Sequence, residues 1–168
     1  MTIINLLYDQ KKTLFSIPVL LMKKPNHRGV PTVDKLPTNG WCNTIMYLDT
    51  GSNLTSITEN EVEKLNLDKS AFKNQRVGGI GGFIDTPITE EVDINVSSND
   101  GKFLLVKLDK IAVHPTEIRK KVKKNYGGYV QRGNQTIEMI CLFGLDALEK
   151  LGGVLEIDMR NKTGKINI

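Results

Sequence analysis

The sequence predicts a protein built mainly from antiparallel β-strands, arranged as a barrel or sandwich, with a few short helices as additions. Three observations carry this expectation. Most apolar segments are short, β-branched and bounded by turn residues. The connections between most of them are brief. Residues 91–98 alternate cleanly, with Val92, Ile94 and Val96 on one side and Asp93 and Asn95 on the other, the pattern of a half-buried strand.

Each element follows from local chemistry. The runs TIINLLYD and TLFSIPVLLM, joined through Gln10, Lys11 and Lys12, read as a hairpin. Residues 23–40 hold Pro25, Pro31 and Pro37 and have no period, so a long loop is expected, functional or disordered. WCNTIMYL resumes as a strand and delivers Asp49. Thr58 and Glu61 form a capping box for a short helix over 59–67, whose apolar side is Val62, Leu65 and Leu67. The stretch 76–86, RVGGIGGFIDT, reads as two strand-like arms around a glycine-rich tip. Asn99-Asp100-Gly101 is a hairpin turn, and KFLLVKLDKIAV is the returning strand. Pro115 suits the first turn of a helix over TEIRKKVKK, ending near Gly127-Gly128. TIEMICLFG is a strand again, LDALEKLGG a two-turn helix stopped by glycines, and VLEIDMRNKTGKINI a last hairpin.

Composition narrows the function. At 168 residues the chain is a single domain spanning 1–168, with no internal repeat. A net charge of +4 tolerates nucleic acid without requiring it. The one basic cluster, IRKKVKK over 118–124, is expected to be a solvated helix face. Nucleic acid is therefore not expected as a partner, although Lys120, Lys121, Lys123 and Lys124 keep that reading open. Cys42 and Cys141 are far apart and His27 and His114 are the sole histidines, so no metal or redox spacing exists; no metal and no cofactor are expected. The cysteines read as small core residues, His114 as a residue at a helix start and His27 as a loop residue. No signal peptide or apolar span of about 20 residues is present, so the expected location is cytoplasmic, with no membrane and with reduced thiols.

The chemistry lies in three features in order. An apolar strand stops on Asp49, followed by Thr50, Gly51 and Ser52. Next comes the glycine-rich tip, Val77, Gly78, Gly79, Ile80, Gly81 and Gly82. Last is Leu142-Phe143-Gly144, ending a late strand directly before a helix. The first alone is an ordinary turn, because Asp is poor in strands and opens turns readily. GGIGG alone resembles a phosphate loop, but Ile84 occupies the last glycine position and no helix follows. Arg76 and Phe83 beside the tip read as hairpin pair residues.

Together, and in this order, the three features resemble the retropepsin-type aspartic proteases over residues 43–168. Asp49-Thr50-Gly51 matches that family's catalytic triplet, 78–82 its flap tip, and Leu142-Phe143-Gly144 its apolar-apolar-glycine motif. The resemblance implies a closed-barrel acid-protease fold and an endopeptidase that activates water between two aspartates. It also implies supporting roles for Thr50 and Gly51, substrate contact through the flap, and packing of the active-site strand by the late motif. Because the chain has one such triplet, the resemblance implies a homodimer in which Asp49 meets Asp49 of a second chain. Ser52 is expected to donate to that carboxylate, and the terminal segments TIINLLY and GKINI, read as exposed apolar edge strands, to form the interface. The substrate implied is an extended polypeptide. Leu145-Asp146 departs from the arginine of the viral enzymes and is closer to cellular, archaeal, bacterial and retrotransposon-like relatives. A dimeric peptide-binding or scaffolding module with weak catalysis is the alternative from another class.

Overall fold

The structure is a computed structural model that describes residues 2–24, 40–79, 82–126 and 129–168. The proline-rich loop, with His27, therefore lies almost entirely outside the described residues, as do Ile80, Gly81 and the Gly127-Gly128 stop. The described residues are mostly β-structure.

The first hairpin forms as the sequence predicts: β1 (Ile3–Asp9) pairs antiparallel with β2 (Leu14–Lys23) through Leu7↔Ser16 to Asp9↔Leu14. Asp9 closes the turn, its Oδ1 accepting from the backbone of Lys11 at 2.9 Å and Lys12 at 3.1 Å. Phe15, Ile17, Val19 and Leu21 alternate inward along β2 and are buried. β2 is the hub of the sheet. One edge pairs with β3 (Trp41–Leu48); the other passes from β1 to β7 (Val92–Ser97). Pro18 sits where that partner changes, a position at which a residue without an N–H interrupts the ladder least.

Beyond β3 the chain turns at Asp49 and enters β4 (Ser56–Thr58) and α1 (Glu59–Lys64). The Thr58 backbone donates to Glu61 Oε2 at 3.3 Å, as the capping pattern requires, and Val62, Leu65 and Leu67 are buried. A single 3-10 turn (Lys69–Ala71) leads to a hairpin of β5 (Lys73–Gly79) and β6 (Gly82–Thr89). β7 and β8 (Phe103–Lys107) form the expected hairpin through Asn99-Asp100-Gly101. The stretch expected as one returning strand is two. After β8 the chain breaks over 108–110 and resumes as β9 (Ile111–His114), which leaves β7 to pair with β4 and β6.

The segment expected as a basic helix is a strand. β10 (Glu117–Tyr126) pairs over its whole length with β11 (Tyr129–Glu138) in a separate two-stranded sheet. Ile118, Val122 and Tyr126 recur every four residues, a spacing that fits a helix face as well as a strand, so the ladder with β11 decides the outcome. Long-range pairing of this kind overrides the helix propensity of lysine. The strand expected over 136–144 is interrupted too: β11 ends at Glu138 and β12 is only Leu142–Phe143. α2 (Leu145–Leu151) ends at Gly152 in the left-handed conformation, and β13 (Val154–Asp158) and β14 (Thr163–Asn167) form the last hairpin.

The main sheet runs β13-β14-β1-β2-β3-β12-β4-β9-β6-β5, with β7 and β8 continuing from β2. This path is open: no ladder joins β13 to β5 among the described residues, so the closed barrel does not form as expected. The expectation that the termini are exposed edges is also corrected. β1 pairs with β14 within the chain, Ile3↔Asn167 to Leu6↔Gly164, so the exposed edge falls on β13 instead. Inside the sheet is one contiguous core that reaches from Ile4 and Ile166 through Ile17, Leu21, Met46 and Phe143 to Ile94, Val106 and Ile111. Among the described residues no helix is long and apolar enough to cross a membrane.

A candidate carboxylate site at the end of β3

Asp49 follows the last residue of β3, and β12 fixes where that strand ends. β12 runs parallel to β3 on one side and antiparallel to β4 on the other, pairing Leu142 with Tyr47 and with Ser56, and Phe143 with Leu48. The Tyr47 N–H donates to the Cys141 carbonyl at 2.9 Å and the Asp49 N–H to the Phe143 carbonyl at 3.1 Å. Phe143 is wholly buried, so this wedge is anchored in the core. On the other flank, the Tyr47 hydroxyl donates to Asp9 Oδ2 at 2.7 Å. That bond holds the Asp9 carboxyl below its usual range, while burial, and then Asp9 itself, push Tyr47 up to about 12.

The turn after Asp49 is closed from within. The Gly51 N–H donates to Asp49 Oδ1 at 2.9 Å, and the Ser52 N–H to the Asp49 carbonyl at 3.2 Å. A Cβ at Gly51 would stand 3.2 Å from the same Oδ1, a tight approach. Asp49 is half-buried, and Thr50 and Gly51 are exposed. Ser52 does not meet the expectation set for it: its hydroxyl donates to the Leu54 carbonyl at 2.8 Å, so it shapes the turn rather than the carboxylate.

The far side of the turn is locked by two residues that the sequence reading did not single out as functional. Asp146, the second residue of α2, accepts at Oδ1 from the Thr55 hydroxyl (2.6 Å) and the Ala147 N–H (2.8 Å), and at Oδ2 from the Thr55 N–H (3.1 Å). Thr55 is fully buried, and its hydroxyl oxygen accepts from the Gly144 N–H at 3.1 Å. The Leu145 N–H reaches back to the Ser52 carbonyl at 2.8 Å. Gly144 is the contact point: a Cβ there would lie 2.8 Å from the Leu54 carbonyl carbon and 2.9 Å from the Thr55 nitrogen, both backbone atoms that cannot move aside. An acidic residue in the first turn of a helix was the available signal for Asp146. Its partner across 91 residues was not.

Leu142, Phe143, Gly144 and Asp49 to Ser52 are therefore brought together. Val77, Gly78, Gly79 and Gly82 lie on the β5–β6 hairpin, whose arms pair from Lys73↔Ile88 to Gly79↔Gly82. Only Ile88 and Thr89 of β6 join β9, so the rest of the hairpin projects beyond the sheet. Ile84 on its outer arm is 67% exposed. Among the described residues no hydrogen bond joins Asp49 to a second carboxylate.

The other reactive groups are quenched. Burial, and then the nearby Glu61 carboxylate, push Cys42 up to about 11 and Cys141 up to about 12, so both are neutral thiols. Burial pulls Glu61 upward, but bonds from Thr58 and Cys141 and the Lys64 charge outweigh it and hold the carboxyl below its ordinary value. Burial holds the His114 pKa below its ordinary value. Among the described residues no cluster of His, Cys, Asp and Glu could hold a metal ion. A shallow depression of about 490 Å³ between Pro18, Trp41, Ile45 and Phe103 contains none of the predicted site residues. Comparison with protein-family models finds no match to this chain, and comparison with curated proteins finds none either.

Proposed function

We propose that the chain is a retropepsin-like aspartic endopeptidase, active as a homodimer in which Asp49 of two chains forms one site. The observation that carries this reading is the Asp49 turn itself. A half-buried carboxylate is fixed at a strand end by Phe143 and Gly51, braced through Gly144, and left with exposed neighbours, Thr50 and Gly51, where a second chain can approach. The projecting β5–β6 hairpin supports it further, since a glycine-rich hairpin tethered at its base suits a lid.

In such a dimer the two carboxylates cannot both ionise and share one proton. The charged one takes a proton from water as the oxygen attacks the peptide carbonyl. The protonated one donates to the carbonyl oxygen, giving a tetrahedral diol, and a proton passed to the nitrogen releases the amine. The dimer axis runs beside Thr50 and Gly51; the terminal strands, already paired within the chain, contribute less than the sequence suggested. The substrate is an extended polypeptide held by main-chain hydrogen bonds under the hairpins.

Asp49→Asn is the decisive substitution. The amide keeps the shape and can still accept the Gly51 N–H, but it cannot share the proton. Cleavage of a diverse peptide library should fall at least about 100-fold with the melting curve little changed. Cleavage above a tenth of wild type would put the attacking water elsewhere. Peptide binding without cleavage by either protein would favour the scaffolding alternative.

A further inference from the structure

The β10–β11 ribbon holds the whole net charge of the chain. Residues 117–138 contain six of the 23 Lys and Arg and two of the 19 Asp and Glu, a net +4; the remainder has 17 of each sign and is neutral. The two acids, Glu117 and Glu138, pair opposite each other at the base. Beyond them every ionisable side chain except the tyrosines is cationic.

Register distributes these charges. Arg119, Lys121 and Lys123 occupy alternate positions of β10, and Lys123 pairs with Arg132 in the ladder. Like charges directly opposite in a ladder destabilise it, and a two-stranded ribbon is marginal in water without a third strand or a packed face. Among the described residues this ribbon has no third strand. Its own pairing extends one step past its base, where the Met139 N–H donates to the Thr116 carbonyl at 2.9 Å, and the chain then runs into β12 from the side of Leu142 away from Asp49. An anion laid along it would relieve both costs.

We propose that this ribbon binds duplex DNA through its phosphates, independently of sequence. A two-stranded β-ribbon is one of the two elements that the B-form major groove admits, whereas the deep, narrow major groove of A-form RNA excludes it. The cations of β10 from Arg119 to Lys124 extend over about 17 Å at the antiparallel rise per residue, about half a turn of duplex. The binding is electrostatic and separate from the Asp49 turn.

The test uses the full chain and a fluorescent duplex of mixed sequence, read by polarisation across a salt series. With about four phosphates neutralised, affinity should fall roughly 100-fold between about 50 and about 200 mM salt. K120Q/K121Q/K123Q/K124Q should bind at least about tenfold more weakly, with the log–log salt slope smaller by about 3 to 4. The same four lysines changed to Arg should bind as wild type, which separates lost charge from lost folding. Four exposed lysines elsewhere, K69Q/K107Q/K110Q/K150Q, should leave affinity within about twofold. Equal weakening by the two glutamine sets would overturn the proposal, because net charge alone would then be responsible. Tighter binding to vesicles rich in phosphatidylserine, to poly-glutamate or to duplex RNA than to the DNA would also overturn it.

Discussion

The turn that holds Asp49 and the β5–β6 hairpin that carries the glycine-rich tip are built in contrary ways. In the turn, many backbone N–H groups are bonded: Asp49 with Phe143, Gly51 and Ser52 with Asp49, Thr55 with Asp146, Gly144 with Thr55, Leu145 with Ser52. Those bonds tie segments about 90 residues apart into one junction backed by buried Phe143. The β5–β6 arms pair mainly with each other and join the neighbouring ladder at Ile88 and Thr89, and Lys110 Nζ also donates to Gln75 Oε1 at 3.2 Å. A reactive carboxylate gains from fixed geometry, and a lid must open at low cost. Under the proposed function, the two regions would divide these requirements between them.

The largest effect should come from breaking the junction at its closest contact. Gly144→Ala forces a Cβ against the Leu54 and Thr55 backbone, and should cost about 3 kcal/mol by urea denaturation, with peptidase activity lost. A cost below about 1 kcal/mol would mean the two segments separate more easily than their hydrogen bonds imply.

Next comes Glu61, which ties α1 to the strands beside the junction by accepting from Thr58 and Cys141. Its folded-state pKa lies below the ordinary 4.5. The stability it adds is therefore present above about pH 4.5 and disappears as pH falls through the folded value. Glu61→Gln should cost about 2 kcal/mol at pH 7, with the gap from wild type closing below about pH 4.5. A gap that stays constant with pH would show that the charge is not what Glu61 contributes.

The hairpin should respond in the opposite sense. Ile84→Ala removes an exposed side chain and should change stability by less than about 0.5 kcal/mol. If the hairpin covers substrate, KM for a good peptide should still rise severalfold. A change in stability with none in KM would reverse the roles assigned to the two regions.

How much of this was legible in the sequence depended on range. The β3 strand, the Thr58–Glu61 cap, the β7 alternation and the hairpin arms rest on residues close together in the chain, and their patterns predict them. The Asp49 turn and Gly144 were visible as motifs because each packs a distinctive residue into a few positions. Asp146 was not, since its meaning depends on Thr55. The basic segment was misread as a helix because lysine-rich runs suit helices locally, and only β11, across a turn, makes a strand of it. The terminal strands were read as edges because sequence does not reveal that β1 and β14 meet each other.

The central claim is that one chain holds half a site, and mixing tests it most directly. Wild-type and Asp49→Asn chains are unfolded together in equal amounts, refolded, and assayed at a fixed total concentration high enough to keep them associated. If two copies of Asp49 must meet, only dimers with both wild-type chains cleave, and random pairing leaves about a quarter of the activity of wild type at the same total concentration. Activity at half, tracking the wild-type fraction linearly, would mean that each chain holds a complete site, and would contradict the account.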